Sequence, residues 1–394
     1  MTGGRGRKVR EIDRRPASSR PSPFPIILAG LLLLSLAGAL ACTPAPEHAD
    51  HDQAAHAEPA LRLETAAGPV AGTLSDDGQV RVFRGIPFAA PPVGELRRRP
   101  PQPVAAWGDE LAADAFSPGC VHALRDEGSF YGPGTDEMSE DCLYLNVWAP
   151  AEAGERRPVM FWIHGGGLRN GDGARPLYDG AALVGHGVVV VTTNYRLGPP
   201  GFLAHPLLPA EDENGSSGNY GLLDQIAALR SVQEDIAAFG GDTARVTIFG
   251  ESAGAFSVHY LQASPLAAGL FHRTIGQSGS ALGRSSPLTE AEQEGERFVD
   301  ALFGLADGGA ATLEAMRAAT PEQIVETFRA LGVDFPSRGN VDGWFLPRSV
   351  AEIFEAGEQN DVPVVVGWNR DEGPSAATLP PSPSRAAWPL CRAG

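Results

Sequence analysis

The chain has 394 residues with 43% hydrophobic side chains, 31 basic and 48 acidic residues, and a formal net charge of −17. This length is enough for one large domain. The acidic balance argues against nucleic acid or an anionic membrane surface as a partner.

The first 41 residues are predicted to form a signal peptide. They carry seven basic and two acidic side chains, and the apolar run at residues 26–41 follows all of these charges. That run is shorter than the roughly 20 residues that span a bilayer, and it ends in small residues. Its end, Ala39-Leu40-Ala41-Cys42, resembles a bacterial lipobox. We expect a cell-envelope lipoprotein with a lipid anchor at Cys42; the alternative is a plain secretory signal and a secreted or periplasmic protein.

Residues 42–60 are predicted to be a disordered tether, because they are rich in Pro, Ala and His and show no periodicity. The histidines at 48, 51 and 56 could bind metal, but a solvated linker explains them better. We expect no metal site and no cofactor.

Residues 61–373 are predicted to form one α/β domain with a doubly wound, mostly parallel sheet. No repeat or linker interrupts this region. Strands are predicted at residues 143–148, 159–164, 188–193, 245–249, 273–277 and 362–367. One helix is predicted from apolar side chains at helical spacing, which indicates packing rather than a site. These side chains are Leu222, Ile226, Leu229, Val232, Ile236 and Phe239.

Two glycine-rich motifs follow predicted strands. Gly250-Glu251-Ser252-Ala253-Gly254 lies between the strand at 245–249 and a helix-forming stretch at 255–262. This context is typical of a nucleophile elbow, in which a strained turn presents the Ser252 hydroxyl. His164-Gly165-Gly166-Gly167 follows the strand at 159–164 and can supply backbone N–H donors to an oxyanion hole. The alternatives are an ordinary strand-to-helix turn and a flexible glycine turn.

The chain resembles the type-B carboxylesterase family from about Leu61 to Gly373. The resemblance implies an α/β-hydrolase fold and an ester hydrolase, with a small-molecule ester as substrate. The two longest matches are residues 239–254 and the stretch Glu140-Asp141-Cys142-Leu143-Tyr144-Leu145-Asn146-Val147-Trp148-Ala149-Pro150. Shorter matches are Phe83-Arg84-Gly85-Ile86-Pro87-Phe88, Asn194-Tyr195-Arg196-Leu197, Gly218-Asn219-Tyr220-Gly221-Leu222-Leu223-Asp224-Gln225 and Asp371-Glu372-Gly373.

The resemblance also implies a disulfide and one unusual packing position. In the family, the cysteine of the Glu-Asp-Cys motif, here Cys142, closes a loop with an upstream cysteine, and Cys120 fits that partner. Export favours such a bridge; the alternative is two free buried thiols. Ser231 stands where family members usually carry a tryptophan, so we expect its helix to pack less well.

The resemblance implies a catalytic serine, an acid and a histidine, in that chain order. Ser252 matches the nucleophile, and Gly166, Gly167 and Ala253 match the oxyanion hole. Glu372, just past the strand at 362–367, matches the acid; the alternative is a surface carboxylate.

No residue matches the histidine. The nine histidines lie at 48, 51, 56, 122, 164, 186, 205, 259 and 272, and none follows Glu372. His164, His259 and His272 are the possible substitutes, but none has a strong claim.

The last segment, residues 374–394, is Pro-rich and departs from the family pattern. We expect a frameshift or a misplaced gene end, so that the C-terminal part of the fold is missing; the alternative is a genuine short variant with a disordered tail. We therefore predict a carboxylic ester hydrolase that works through an acyl-serine and is crippled by the loss of its base. The alternative is a non-catalytic binding protein on an esterase fold. The sequence does not indicate an oligomeric state.

Overall fold

A computed structural model describes residues 61–122, 137–152, 154–305, 311–332, 335 and 337–370. All of them belong to one compact unit, Ala57–Gly394. The strands are β1 Arg62–Glu64, β2 Pro69–Ala71, β3 Thr73–Leu74, β4 Val80–Pro87, β5 Leu111–Ala112, β6 Gly119–Cys120, β7 Met138–Ser139, β8 Tyr144–Pro150, β9 Arg157–Ile163, β10 Val189–Thr193, β11 Gly241–Glu251, β12 Arg273–Gln277, β13 Ser286–Pro287, β14 Asn340–Val341 and β15 Val364–Gly367. The α-helices are α1 Ala181–Val184, α2 Gly198–Phe202, α3 Tyr220–Asp235, α4 Ala253–Ala263, α5 Leu288–Phe303, α6 Leu313–Ala318, α7 Pro321–Leu331 and α8 Val350–Ala356.

The main sheet has eight strands in the order β15-β12-β11-β9-β10-β8-β4-β3. The five strands from β15 to β10 are parallel, and β8, β4 and β3 continue the sheet antiparallel. All six predicted strands are present, with ends that differ by up to four residues. The parallel half places the carboxyl ends of β9 and β11 at the same edge of the sheet.

Both faces of the sheet are covered by helices, as the doubly wound prediction requires. Side chains alternate between the faces along a strand. Val191 and Val147 therefore join one buried cluster, which includes residues of α3 and α4, whereas Val190 and Trp148 join another with Val184 of α1. This two-sided burial explains why the central strands read as continuous apolar runs.

The predicted packing helix is α3. All six apolar side chains predicted to face the core are at most 2% exposed. Beside the C-terminal half of α3 lies a cavity of about 440 Å³, lined by Ser231, Trp107 and Trp344 among others. The family tryptophan expected at position 231 is thus replaced by a small side chain at the wall of a cavity.

A buried ion pair ties α3 to the loop that follows β10. The Arg196 guanidinium donates to both carboxylate oxygens of Asp224, at 2.8 and 2.6 Å, and the Arg196 amide also donates to Asp224. Both side chains lie in stretches that match the family, Asn194–Leu197 and Gly218–Gln225. These matches therefore reflect packing rather than chemistry.

Four further predictions concern the ends of the chain. No helix within the described ranges is long and apolar enough to span a membrane. The predicted signal peptide, Cys42, the tether and the tail at 374–394 lie outside the described residues, so their roles stay predictions.

Candidate active site

Ser252 occupies a strained turn between β11 and α4. Its backbone angles are φ 55° and ψ −116°, in a region that side chains other than glycine rarely adopt. The residue is half-buried, with β11 ending at Glu251 and α4 beginning at Ala253. The predicted elbow geometry is confirmed.

The glycines on either side of Ser252 are required by close backbone packing. A Cβ atom at Gly250 would lie 2.6 Å from the Gly254 carbonyl carbon, and one at Gly254 would lie 2.0 Å from the Ile163 carbonyl oxygen. Both distances are far below van der Waals contact. The Gly-x-Ser-x-Gly pattern thus lets the first turn of α4 pack against the end of β9.

The predicted oxyanion loop lies against this elbow. Ile163, the last residue of β9, is paired with Gly250 of β11, so residues 164–167 leave the sheet beside Ser252. A Cβ atom at Gly165 would lie 3.3 Å from the Ser252 Cβ atom. Gly166 has φ 113°. The backbone amides of Arg169 and Asn170 both donate to its carbonyl oxygen, so the loop makes a tight turn here.

Three backbone N–H groups lie at this junction: Gly167 is exposed, Gly166 is partly exposed and Ala253 is fully buried. Within the described residues, the amides of Gly166, Gly167 and Ala253 donate to no protein acceptor. Ala253 opens α4, where the first-turn N–H groups lack intrahelical partners and the helix dipole is positive. The arrangement can therefore stabilise a negative charge that develops beside Ser252.

His164 supports the loop, and among the described residues it makes no hydrogen bond to Ser252. The ring is fully buried, stacks on Tyr195 with centroids 4.4 Å apart, and donates from Nδ1 to the Gly165 carbonyl oxygen at 2.8 Å. Tyr195 in turn donates its hydroxyl to the His164 carbonyl oxygen at 2.8 Å. Burial lowers the pKa of His164 to about 4, so the ring is neutral at pH 7. Sequence reasoning missed Tyr195; its only signal was the Asn194–Leu197 family match.

The other two candidate bases, His259 and His272, also hydrogen-bond to backbone groups away from Ser252. His259 lies on α4, about 10 Å along the helix from Ser252; its Nδ1 accepts from the Ala281 amide at 3.4 Å, and burial lowers its pKa. His272 precedes β12 and accepts from the Val246 amide at 3.3 Å. That contact is roughly 20 Å along β11 from Ser252. In the described part of the chain, the Ser252 hydroxyl bonds no histidine.

The strand ahead of the candidate acid runs to the same edge of the sheet as β11. β15 pairs in parallel with β12, and the Ser278 amide donates to the Gly367 carbonyl oxygen at 2.7 Å. Glu372 itself lies outside the described residues. The strand prediction is confirmed, and the role of Glu372 stays a prediction.

The two body cysteines lie together beside the core. The Sγ atoms of Cys120 and Cys142 are 2.04 Å apart, which is bonding distance, and both residues are buried. This contact lies between β6 and the segment that precedes β8.

Comparison with known proteins identifies relatives over most of the chain. The Carboxylesterase family model matches residues 58–384. Fumonisin B1 esterase from Sphingopyxis macrogoltabida is 44% identical over 319 residues, which are 80% of this chain and 57% of that protein. Para-nitrobenzyl esterase from Bacillus subtilis is 40% identical over 79% of this chain and 63% of its own length. The chain thus spans less than two thirds of these relatives.

Solved structures of carboxylesterases have the same fold as this chain. A carboxylesterase of Geobacillus stearothermophilus superposes with a TM-score of 0.72 at 40% identity, covering 81% of this chain and 63% of that one. A structure of para-nitrobenzyl esterase superposes with a TM-score of 0.69 at 36% identity. The fold is therefore that of the α/β-hydrolases, as predicted.

Proposed function

Because this chain belongs to the carboxylesterase family, we propose that it is built to hydrolyse carboxylic esters through an acyl-serine at Ser252. The observation that carries the proposal is the meeting of the Ser252 elbow with three N–H groups that have no acceptor among the described residues. A nucleophile beside such donors suits acyl transfer.

In the proposed reaction, Ser252 Oγ attacks the ester carbonyl carbon and passes its proton to a histidine base. The carbonyl π electrons move to oxygen, and the oxyanion accepts hydrogen bonds from the amides of Gly166, Gly167 and Ala253. Collapse of the tetrahedral intermediate expels the alcohol, which takes the proton from the imidazolium. Water then attacks the acyl-serine by the same route and releases the acid.

Glu372 is proposed to orient the base, but no histidine of these 394 residues is proposed as that base. His164, His259 and His272 each make a structural contact, and none reaches Ser252. Loss of the histidine alone lowers kcat of a serine hydrolase on the order of 10⁶-fold. We therefore propose that the 394-residue chain turns esters over very slowly.

Export is proposed together with this function. The apolar run that ends at Cys42 favours a lipoprotein of the cell envelope, with a secreted or periplasmic form as the alternative. A Cys120–Cys142 disulfide is part of the proposal, because an oxidising compartment allows it and the two sulfurs are at bonding distance. In this proposal the protein contacts the membrane only through its lipid anchor. Its binding partner is a small-molecule ester.

The alternative function is non-catalytic binding on the same fold. It is disfavoured because a binder does not need Gly250, Ser252, Gly254 and the oxyanion loop in mutual contact. Hydrolysis of p-nitrophenyl butyrate with and without added imidazole separates the two functions, since free imidazole can act as the base. We expect imidazole to raise hydrolysis more for the unmodified chain than for Ser252→Ala. Equal responses of the two proteins would favour the binder.

A further inference from the structure

Arg98 is a buried cation outside the candidate active site. It follows the turn at Gly94–Leu96 and is only 4% exposed. Its Nη1 donates to the Met316 carbonyl oxygen at 2.6 Å. Its Nε and Nη2 are buried and have no hydrogen-bond partner within the described ranges.

The arginines around Arg98 all have carboxylate partners. Four guanidinium groups pair with four acidic residues, whereas Arg98 makes no ion pair within 4.0 Å in the part of the chain that the structure describes. The pairs are Arg97 with Glu140, Arg99 with Glu211, Arg196 with Asp224, and Arg317 with Glu211 and Glu95. The five arginines therefore outnumber the four carboxylates by one positive charge, and the charge without a partner is that of Arg98.

This charge persists at neutral pH. Burial and the nearby charge of Arg97 lower the pKa of Arg98 only to about 10, so the guanidinium remains protonated at pH 7. A buried charge that lacks a partner is strongly destabilising. An anion that reached the site would offset this cost, whereas a water molecule could satisfy the N–H groups but not the charge.

Arg98 also lines a small, partly open cavity of about 20 Å³. A space of this size holds a single guest about as large as a water molecule. Phosphate, sulfate and carboxylates are larger than that. Most of the lining is apolar and comes from Pro92, Cys120, Val121, Cys142, Pro200 and Ile324. The cavity therefore suits a monatomic, weakly hydrated anion.

We propose that Arg98 and this cavity form a chloride-binding site that stabilises the fold. Chloride enters as the counter-ion of the Arg98 guanidinium, between the Cys120–Cys142 link and the Arg97–Glu140 ion pair. No bond is made or broken, and the site does not depend on the proposed esterase reaction.

Thermal unfolding of the full chain tests the site. Sodium chloride is exchanged for sodium gluconate at constant ionic strength, because gluconate is too large for the cavity. We expect the Tm of the unmodified protein to gain on the order of 2 °C when chloride exceeds its Kd about fivefold, and to go on rising with the logarithm of the chloride concentration. Arg98→Met should abolish this dependence and should match or exceed the unmodified protein in Tm when chloride is absent.

Arg62→Met is the matched control, because the Arg62 side chain is 79% exposed and pairs with Glu110 at the surface. That variant should keep the chloride dependence. If Arg98→Met does not fold, anomalous scattering from bromide-soaked crystals of the unmodified protein gives the same answer, with a peak expected beside Arg98. A Tm independent of chloride, a bromide peak elsewhere only, or a protein carboxylate bonded to Arg98 would overturn the proposal.

Discussion

Gly165 lies so close to Ser252 that a Cβ atom at position 165 would be 3.3 Å from the Cβ atom of Ser252 and 2.7 Å from the Glu251 carbonyl oxygen. The loop that supplies the candidate oxyanion donors and the turn that supplies the candidate nucleophile are therefore in direct contact. Any side chain at 165 must push them apart, which makes this contact a sensitive test of the site.

Gly165→Ala should weaken binding of an alkyl boronic acid, on the order of 100-fold, because the displaced loop no longer donates to the anionic adduct. Boronic acids are suitable ligands because the boron is itself electrophilic and accepts the serine oxygen, while the hydroxyl proton passes to water. The affinity is measured by ¹¹B NMR titration. Gly283→Ala is the control, since a Cβ atom there would meet nothing within 4 Å. Equal affinities in the two variants would contradict the proposed position of the oxyanion hole.

His164 should make the fold sensitive to acid. Burial lowers its pKa to about 4 in the folded protein, against about 6.5 in the unfolded chain. Between these values the unfolded chain binds the proton and the folded protein does not, so stability falls as pH falls from 6.5 to 4. The loss is on the order of 3 kcal/mol and stops below pH 4.

The measurement is urea unfolding between pH 4 and 7. His164→Asn should flatten the pH dependence of the unfolding free energy, whatever its effect at pH 7. His186→Asn, a change at an exposed histidine, should leave the dependence unaltered. An unchanged slope in His164→Asn would show that this ring titrates normally.

Ser231→Trp should stabilise the protein, because the indole can fill part of the 440 Å³ cavity beside α3. Filling a cavity without strain typically adds roughly 0.5–2 kcal/mol. Chemical unfolding of Ser231→Trp and of Ser231→Ala gives the comparison. A less stable tryptophan variant would mean that the cavity cannot accept the ring.

The Cys120–Cys142 pair should be bridged in the exported protein. Peptide mapping without reductant should recover the two cysteines linked, and the double serine variant should lose about 3 kcal/mol, as the chain-entropy relation gives for a separation of 22 residues. Recovery of both as free thiols from periplasmic material would contradict the bridge.

Lipid attachment should depend on Cys42. We expect the mature protein in the membrane fraction with an acylated N-terminal cysteine, and Cys42→Ser in the soluble fraction. Mass spectrometry that finds an unmodified, soluble mature chain would support the plain secretory signal instead.

The sequence predicted the strained turn at Ser252 and the glycine loop beside it well, because each combines a local steric requirement with a strand. Gly250, Gly254 and Gly165 are needed where backbones come within contact, and such positions leave a visible pattern. The strand at 362–367 was also predicted, but not its exposure: Val365 is 62% exposed, because β15 is the edge strand of the described sheet and pairs only with β12. An apolar run does not reveal what covers it.

The burial of Arg98 could not be predicted from the sequence. The run Arg97-Arg98-Arg99 reads as a solvated patch, since neighbouring arginines are normally exposed. Folding separates them, because Arg97 pairs with Glu140, Arg99 pairs with Glu211, and Arg98 turns into the interior with φ 54°. These partners are 43 and 112 residues away, so only the tertiary structure shows which arginine lacks a carboxylate.

The most direct test of the central claim is the ¹¹B NMR spectrum of the 394-residue chain with an alkyl boronic acid. We expect a tetrahedral boronate signal from the Ser252 adduct, held by the amides of Gly166, Gly167 and Ala253, and no such signal from Ser252→Ala. This measurement needs no histidine base, so it examines the nucleophile and the oxyanion hole alone. A folded chain that forms no adduct, or one that forms the same adduct in Ser252→Ala, would contradict the assignment of Ser252.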